Sequence, residues 1–226
     1  MQRDWNKKLK VYDIFVSIQG ESSTAGLPCL FIRLYGCNLR CSYCDTPQFS
    51  KKVRNMSIGQ IIEEVKNKIR KSKCSGIRHI CITGGEPLIQ DNVYPLIFDL
   101  ITYGYIISVE TNGCVPIEFT SRSGAYRYVM DIKCPSSGFS DKNCYDNLKK
   151  LGASDEVKFV IADRKDYEFA REVLKNYGTN ANIIFSPMFS TKNKAVIGNE
   201  LVKWVLEDNL SFVRIQVQLH KILGVK

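Results

Sequence analysis

Three cysteines stand in the run Gly36-Cys-Asn-Leu-Arg-Cys-Ser-Tyr-Cys-Asp-Thr46, where Cys37, Cys41 and Cys44 have the spacing C-x3-C-x2-C. Three thiolates this close together can bind three irons of a [4Fe-4S] cluster and leave the fourth iron open, whereas electron-transfer clusters are held by four cysteines. An open iron beside a bound cofactor indicates a cluster that takes part in chemistry. We therefore predict that Cys37, Cys41 and Cys44 are the cluster ligands.

Other uses of cysteine are less consistent with the sequence. A structural zinc site would need a fourth ligand at comparable spacing, and the chain has no second C-x2-C pair and only two histidines, His79 and His220. An auxiliary cluster or a disulfide framework is disfavoured because the other cysteines are irregularly spaced and buried thiols are common. These cysteines are Cys29, Cys74, Cys81, Cys114, Cys134 and Cys144.

The composition is that of a globular enzyme-sized chain. At 226 residues, with 44% hydrophobic and 24% charged residues, we expect a single domain over residues 1–226. The net charge of +9 is spread along the chain without a basic arm or nucleic-acid motif, so we expect no nucleic-acid partner. No apolar run approaches the ~18 residues that a membrane helix needs, and no secretory h-region is present. A cytoplasmic location is expected.

Short β-like runs alternate with helical patterns, which indicates βα units and a parallel sheet. Ser57 and Gln60 form a capping-box pattern, and Asp163 and Asn199 are expected to cap two later helices. A further helix is expected at about 92–103, and residues 212–218 form a final extended segment. The predicted core strands are 29–35, 79–83, 106–110, 128–132, 156–161 and 183–185. The predicted fold class is α/β, a partial (β/α) barrel of about six mainly parallel strands.

Chemically informative residues follow the predicted strands. In (β/α) barrels the active site lies at the carboxyl ends of the strands. The cysteine run follows the first strand, and further motifs follow the second, third, fourth and sixth. These motifs are Thr83-Gly-Gly-Glu-Pro87, Glu110-Thr-Asn112, Asp131 with Lys133, and Ser186-Pro-Met188.

The segment Thr83-Gly-Gly-Glu-Pro87 is the second motif. Its two glycines allow a ligand to approach the backbone closely, and Glu86 offers a carboxylate to an ammonium group. Alone it would be an ordinary turn, but it stands about 40 residues after the cysteine run. Together the two motifs resemble the radical S-adenosylmethionine (SAM) superfamily, in which the matching segment binds the amino group of SAM.

Within that superfamily the chain resembles the 7-carboxy-7-deazaguanine synthase family. The resemblance spans almost the whole chain in order. The elements Ile-Gln-Gly-Glu and Cys-Asp-Thr are the ones that distinguish this family from the rest of the superfamily. The matching segments are Phe15-Val-Ser-Ile-Gln-Gly-Glu21, Arg33, Cys44-Asp-Thr46, Thr83-Gly-Gly-Glu-Pro87, Glu110-Thr-Asn-Gly113, Asp131-Ile-Lys-Cys-Pro-Ser-Ser-Gly138 and Gln218-Leu-His-Lys221.

The resemblance implies roles for individual residues. Substrate contacts fall on Ile18, Gln19, Gly20, Arg33 and Thr83. SAM contacts fall on Tyr43, Cys44, Asp45, Gly85, Glu86, Lys133, Ser186, Pro187 and Met188, and Thr46 supplies a hydroxyl to Mg²⁺. The residues alone leave alternatives open. Tyr43 could equally be an ordinary loop aromatic, and Thr46 could be a turn residue. Arg33 could donate to a substrate carboxylate, or it could face solvent or a dimer partner.

The family's activity is the conversion of a pterin, 6-carboxy-5,6,7,8-tetrahydropterin, to 7-carboxy-7-deazaguanine with loss of ammonia, in queuosine and deazapurine biosynthesis. The resemblance also implies a flavodoxin or ferredoxin electron donor and a homodimer. Two alternatives remain open at this point. A glycyl-radical activating enzyme shares both motifs but acts on a protein partner, and an electron-transfer or iron-sensing module would need a fourth cluster ligand.

Overall fold

The computed structural model describes residues 4–44, 53–120, 124–189 and 197–226. The described strands are β1 (Lys8–Ile18), β2 (Pro28–Leu34), β3 (Arg54–Ser57), β4 (His79–Gly84), β5 (Ile106–Thr111), β6 (Tyr126–Ile132), β7 (Glu156–Ile161), β8 (Asn182–Pro187) and β9 (Val213–Ile215). They form one nine-stranded sheet in the order β3-β1-β2-β4-β5-β6-β7-β8-β9.

The six predicted core strands correspond to β2 and to β4 through β8. Each pairs with its neighbour in parallel, so the predicted α/β class with a mainly parallel sheet is confirmed. The predicted segment 212–218 forms the shorter β9, parallel to β8. The antiparallel strands β1 and β3 were not predicted. Buried Leu9 and Val11 alternate with exposed Lys8 and Lys10, a period-2 pattern that would have revealed β1.

Among the described residues, α-helices follow β3, β4 and β6 through β9, whereas β5 leads to β6 without one. The helices are α1 (Ile58–Lys71), α2 (Val93–Thr102), α3 (Asp146–Lys150), α4 (Arg164–Tyr177), α5 (Gly198–Glu207) and α6 (Leu219–Leu223).

Two of the three predicted helix caps are confirmed. Ser57 and Gln60 form the complete capping box of α1, and the Asp163 side chain accepts the N–H of Asp166 at the start of α4. The predicted cap at Asn199 is wrong, because α5 begins at Gly198 and Ile197 occupies the cap position without a side-chain hydrogen bond.

The two faces of each central strand differ in chemistry. In β6, Tyr128 and Met130 point into the hydrophobic core beneath the helices, whereas Val129 and Asp131 line an interior cavity. The same alternation occurs in the neighbouring strands because successive side chains of a strand point to opposite faces. The apolar face stabilises the sheet against the helices and leaves the inner face available for polar groups.

The open side of the partial barrel is closed by the segment that follows β1. The side-chain amide of Gln216 exchanges two hydrogen bonds with the backbone of Ser22, at 2.6 and 2.7 Å. Nearby, Leu219 donates its N–H to the carbonyl of Gly20 at 2.9 Å, and Glu21 forms an ion pair with Lys158 of β7. Among the described residues, loop contacts and not a strand ladder therefore complete the enclosure.

Within the described ranges, no helix has both the length and the apolar character needed to cross a membrane. The single domain over residues 1–226 stays a prediction.

Candidate active site

A cavity of about 220 Å³ lies inside the sheet, toward the carboxyl ends of the parallel strands. Most of the residues predicted from sequence for cluster, SAM or substrate contacts lie in its wall. They are Ile18, Gln19, Gly20, Arg33, Cys37, Cys41, Tyr43, Cys44, Thr83, Gly85, Lys133 and Met188. The structure therefore brings together side chains from segments that are far apart in the chain.

Three predicted SAM contacts are not in the cavity wall, and two predicted positions fall outside the described residues. Glu86, Ser186 and Pro187 are buried behind the wall, and the latter two pair with β7. Asp45, predicted to contact SAM, and Thr46, predicted to bind Mg²⁺, lie outside the described residues. Of the segment Ser186-Pro-Met188, only Met188 lines the cavity.

The three thiols of the cysteine run line the same cavity. Burial raises the pKa of Cys41; Lys133 opposes this rise, and the adjacent Cys37 and Cys44 add to it by charge repulsion. Among the described residues no three His, Cys, Asp or Glu side chains are placed to bind a single metal ion. A [4Fe-4S] cluster presents separate irons to separate thiolates, so this set of three neighbouring thiols fits its chemistry.

Gly84 and Gly85 are required by the close approach of two backbone segments. Gly84 has a φ of +142°, and a Cβ there would lie 2.1 Å from the carbonyl oxygen of Leu34. A Cβ on Gly85 would lie 1.9 Å from the carbonyl oxygen of Gly36. The double glycine therefore lets the end of β4 pack against the start of the cysteine run, in addition to any room it makes for a ligand.

Glu86 joins the ends of β4 and β5. Its carboxylate accepts hydrogen bonds from the Leu88 N–H at 2.9 Å, the Thr111 hydroxyl at 2.8 Å and the Asn112 N–H at 2.6 Å. Burial raises the pKa of Glu86, and these hydrogen bonds oppose the rise. Its observed partners are protein groups, and its predicted contact with an ammonium group stays a prediction.

A chain of alternating charges runs along one wall of the cavity. Asp131 contacts Lys133 at 2.9 Å and Lys158 at 3.3 Å, and Lys158 also pairs with Glu21. Burial opposes ionisation of Asp131, but the two lysines outweigh this effect and lower its pKa. Burial also disfavours the charge on Lys133, and Asp131, Tyr43 and Cys41 reverse that effect and raise its pKa. These groups are therefore held ionised and in place.

Arg33 faces the cavity and not the outer surface. Its guanidinium lies 5.5 Å from the centre of the Phe15 ring. Its Nε is buried and finds no hydrogen-bond acceptor among the described residues. Buried donors are nearly always satisfied in native proteins, so this nitrogen is available to an anionic ligand in the cavity.

Glu110 is a cavity residue to which the sequence analysis assigned no role. Its carboxylate accepts the Thr83 hydroxyl at 2.7 Å and the Gln19 side-chain amide at 3.3 Å. It thereby connects β5 to β4 and to the loop after β1. The sequence feature that could have indicated this role is the position of Glu110 at the end of a predicted strand.

The C-terminal segment also reaches the cavity, although sequence reasoning left its contacts unassigned. The wall includes Gln218, His220, Lys221 and Lys226. A Cβ on Gly20 would lie 1.9 Å from Nδ1 of His220, so a glycine is needed where this imidazole packs. The glycine of the Ile-Gln-Gly-Glu segment thus has a packing role against a residue about 200 positions later.

The other six cysteines are absent from the cavity wall. Cys29 and Cys81 pack with Phe31 in a small apolar cluster, and burial raises the pKa of Cys29 to about 12. Within the described residues, which include all nine cysteines, none forms a disulfide. His79 lies at the start of β4, where burial and then Arg127 lower its pKa.

A second depression, of about 860 Å³, lies on the surface along α4 and β8. Its lining includes Glu168, Arg171 and the exposed Phe212. None of the residues predicted to contact the cluster, SAM or substrate lies there.

Comparisons with known proteins agree with this arrangement. Residues 31–179 match the Radical SAM superfamily. The 7-carboxy-7-deazaguanine synthase of Methanospirillum hungatei is 40% identical over 219 residues, covering 96% of this chain and 86% of that protein. The 7-carboxy-7-deazaguanine synthase of Koribacter versatilis is 39% identical over 227 residues, covering 95% of this chain and 96% of that protein.

Solved structures support the fold. QueE from Escherichia coli superposes with a TM-score of 0.72 at 22% identity, covering 94% of this chain and 95% of that chain. SuiB from Streptococcus suis, in a structure bound to S-adenosylmethionine, superposes with a TM-score of 0.54 at 13% identity, covering 81% of this chain and 48% of that chain. At these identities the likeness concerns the fold alone.

Proposed function

Because the chain belongs to the 7-carboxy-7-deazaguanine synthase family of the radical SAM superfamily, we propose that it converts 6-carboxy-5,6,7,8-tetrahydropterin to 7-carboxy-7-deazaguanine with loss of ammonia. The observation that carries this proposal is one cavity lined by three neighbouring thiols, the double glycine and an unsatisfied arginine. The product serves queuosine or another deazapurine.

The cofactor-binding role is assigned to the thiol side of the cavity. Cys37, Cys41 and Cys44 would hold a [4Fe-4S] cluster, which together with bound SAM would supply the one-electron chemistry that starts the reaction. Tyr43, Gly85, Lys133 and Met188 line the adjacent space and are proposed to contact SAM. Asp45, Glu86, Ser186 and Pro187 keep their predicted contacts as part of the proposal. The lysine at position 133 also holds positive charge beside the thiols.

The substrate-binding role is assigned to cavity residues that lie outside the cysteine run. Arg33 donates to the substrate carboxylate, since its fork of N–H groups matches a carboxylate and its Nε lacks an acceptor among the described residues. The carboxylate of Glu110 accepts ring N–H groups of the pterin, because it retains lone pairs beyond those used by Thr83 and Gln19. Ile18, Gln19, Gly20 and Thr83, which also line the cavity, keep their predicted substrate contacts as part of the proposal.

Magnesium is proposed at Thr46, whose hydroxyl would complete a coordination shell made by substrate and water. Thr46→Ala should lower turnover and alter the divalent-metal preference while the cluster content is retained. Activity assays across Mg²⁺ concentrations, with iron quantified in parallel, measure both effects. An unchanged Mg²⁺ dependence would remove Thr46 from the proposal.

The remaining partners follow from charge and redox chemistry. The net charge of +9 suits an acidic electron donor such as a flavodoxin or ferredoxin. Nine cysteines without a disulfide in the described residues suit a reducing cytoplasm. We also propose a homodimer, on family resemblance, and no nucleic-acid or membrane partner.

The test is an anaerobic assay of the reconstituted protein with SAM, reductant, Mg²⁺ and the carboxytetrahydropterin, followed by mass spectrometry. The proposal expects more deazaguanine product than SAM consumed, because the family regenerates SAM in each turnover. Stoichiometric formation of 5′-deoxyadenosine without product would instead favour a glycyl-radical activating enzyme. Formation of neither the deazaguanine product nor 5′-deoxyadenosine by a fully loaded cluster would contradict both.

A further inference from the structure

The side chain of Asn112 is buried directly after β5, with 7% of its surface exposed, and its orientation is determined by its neighbours. The backbone N–H of Cys114 donates to Oδ1 of Asn112 at 3.0 Å. A backbone N–H is always a donor, so this contact identifies the oxygen of the side-chain amide. The nitrogen Nδ2 must therefore point the other way.

In that direction lie two acceptors from the cysteine run. The Nδ2 group donates to Oδ1 of Asn38 at 2.7 Å and to Sγ of Cys37 at 3.7 Å. The two hydrogens of the amide account for both contacts. The Cys37 sulfur also accepts the backbone N–H of Leu39 at 3.4 Å. One of the three proposed cluster ligands thus receives two N–H donors, one from within the cysteine run and one from the loop after β5.

The backbone around Asn112 is held as firmly as its side chain. Its N–H donates to the buried carboxylate of Glu86 at 2.6 Å, and the hydroxyl of Thr111 donates to the same carboxylate. Glu86 in turn follows Gly85, which packs against the start of the cysteine run. The donor is therefore preorganised at a defined distance from the sulfur and cannot turn away without breaking several hydrogen bonds.

We propose that Asn112 raises the reduction potential of the cluster by donating a hydrogen bond to the Cys37 thiolate. Reduction adds negative charge that spreads onto the sulfurs, and an N–H donor stabilises the more negative state more strongly. Asn112 acts through Cys37 and is a positioning residue. The inference rests on the proposed cluster but is independent of which substrate the enzyme transforms.

The experiment compares the holoenzyme with Asn112→Ala and a matched control, Asn147→Ala. Asn147 is also a buried asparagine, and it holds the loop after Asn112 by hydrogen bonds to Val115 and Ile117 without contacting a cysteine of the run. The readout is the midpoint potential of the cluster, measured by EPR-monitored redox titration without substrate.

Asn112→Ala should lower the midpoint potential by about 59 mV, which corresponds to about a tenfold change in a one-electron equilibrium. Its iron content should match wild type, and the Asn147→Ala potential should be unchanged even if that variant unfolds at a lower temperature. Asn112→Asp keeps an acceptor for Cys114, removes the donor to the sulfur and adds a negative charge beside it, so it should lower the potential further than Asn112→Ala.

An unchanged midpoint potential in fully loaded Asn112→Ala would overturn the inference. Loss of iron in both Asn112 variants, with normal loading of Asn147→Ala, would also overturn it by showing that Asn112 serves to hold the loop. Failure of the proposed function is recognised separately, because wild type would then bind no cluster or would load it and form no product.

Discussion

At the scale of single residues, the double glycine shows how one feature answers two requirements. Sequence reasoning explained Gly84 and Gly85 by the approach of a ligand. The structure adds that a side chain at either position would meet a backbone oxygen at about 2 Å, those of Leu34 and Gly36. The cysteine run can lie against β4 only because these positions have no Cβ.

We therefore expect Gly85→Ala to displace the cysteine run and to lower iron incorporation at least several-fold. The contact is with backbone at 1.9 Å, which cannot be relieved by moving a flexible side chain. Gly76→Ala is the matched control, because a Cβ there meets no atom within 4 Å. Iron and sulfide quantification after reconstitution measures the effect, and normal loading of Gly85→Ala would contradict it.

Arg33 gives a second prediction at this scale. Arg33→Lys keeps the positive charge but loses the planar fork, so we expect KM for the pterin to rise about tenfold, with a smaller change in kcat. The cluster EPR signal should stay the same. Arg54→Lys provides the same substitution at an exposed ion pair with Glu64 and should leave KM unchanged. Equal KM values in both variants would remove Arg33 from substrate binding.

At the scale of elements, local capping chemistry was predictable where the capping side chain bonds to its own helix. Ser57 and Gln60 bond reciprocally within the first turn of α1, and Asp163 does so at α4. Asn199 is also a residue that favours the cap position, but it is the second residue of α5 and does not occupy that position. Residue type alone cannot locate a helix start to within one residue, since the preceding chain conformation decides it.

This difference predicts opposite outcomes for two similar substitutions. Ser57→Ala removes a capping hydrogen bond and should destabilise the protein by about 1 kcal/mol, or about 2–4 °C in Tm. Asn199→Ala replaces an exposed helical asparagine by a better helix former and should change Tm little or raise it slightly. Thermal unfolding of both variants measures the contrast, and a larger loss for Asn199→Ala would refute the assignment of the helix start.

At the scale of the whole molecule, the cavity depends on closure between distant segments. Gln216 bonds to Ser22, Glu21 pairs with Lys158, and His220 packs on Gly20. These contacts attach both the loop after β1 and the C-terminal segment to the barrel. The Ile-Gln-Gly-Glu segment therefore shapes the enclosure as well as the wall that faces a ligand.

We expect Gln216→Ala to loosen this closure. Two hydrogen bonds worth about 1 kcal/mol each are lost, so amide exchange in residues 19–24 should accelerate about tenfold or more. Asn67→Ala, on the exposed face of α1, is a control that should leave exchange in this loop unaltered. Hydrogen–deuterium exchange read by mass spectrometry makes the comparison, and unchanged protection in Gln216→Ala would show that other contacts hold the loop.

The sequence by itself determined the features that depend on residues close together in the chain. The cysteine spacing, the double glycine, the caps at Ser57 and Asp163 and the six central strands all have local patterns. Resemblance to a family then supplied roles for residues such as Arg33 and Lys133, and the structure places both in the cavity wall.

Only the tertiary structure decided which distant groups meet. Gln19 reaches Glu110 across 91 positions, and Asn112 reaches Cys37 across 75. No local pattern encodes such pairs, because they depend on how the strands align and on how the loops close the barrel. For the same reason Glu86, whose motif predicted a ligand contact, lies behind the cavity wall with its carboxylate bonded to β5 and its flanking turn.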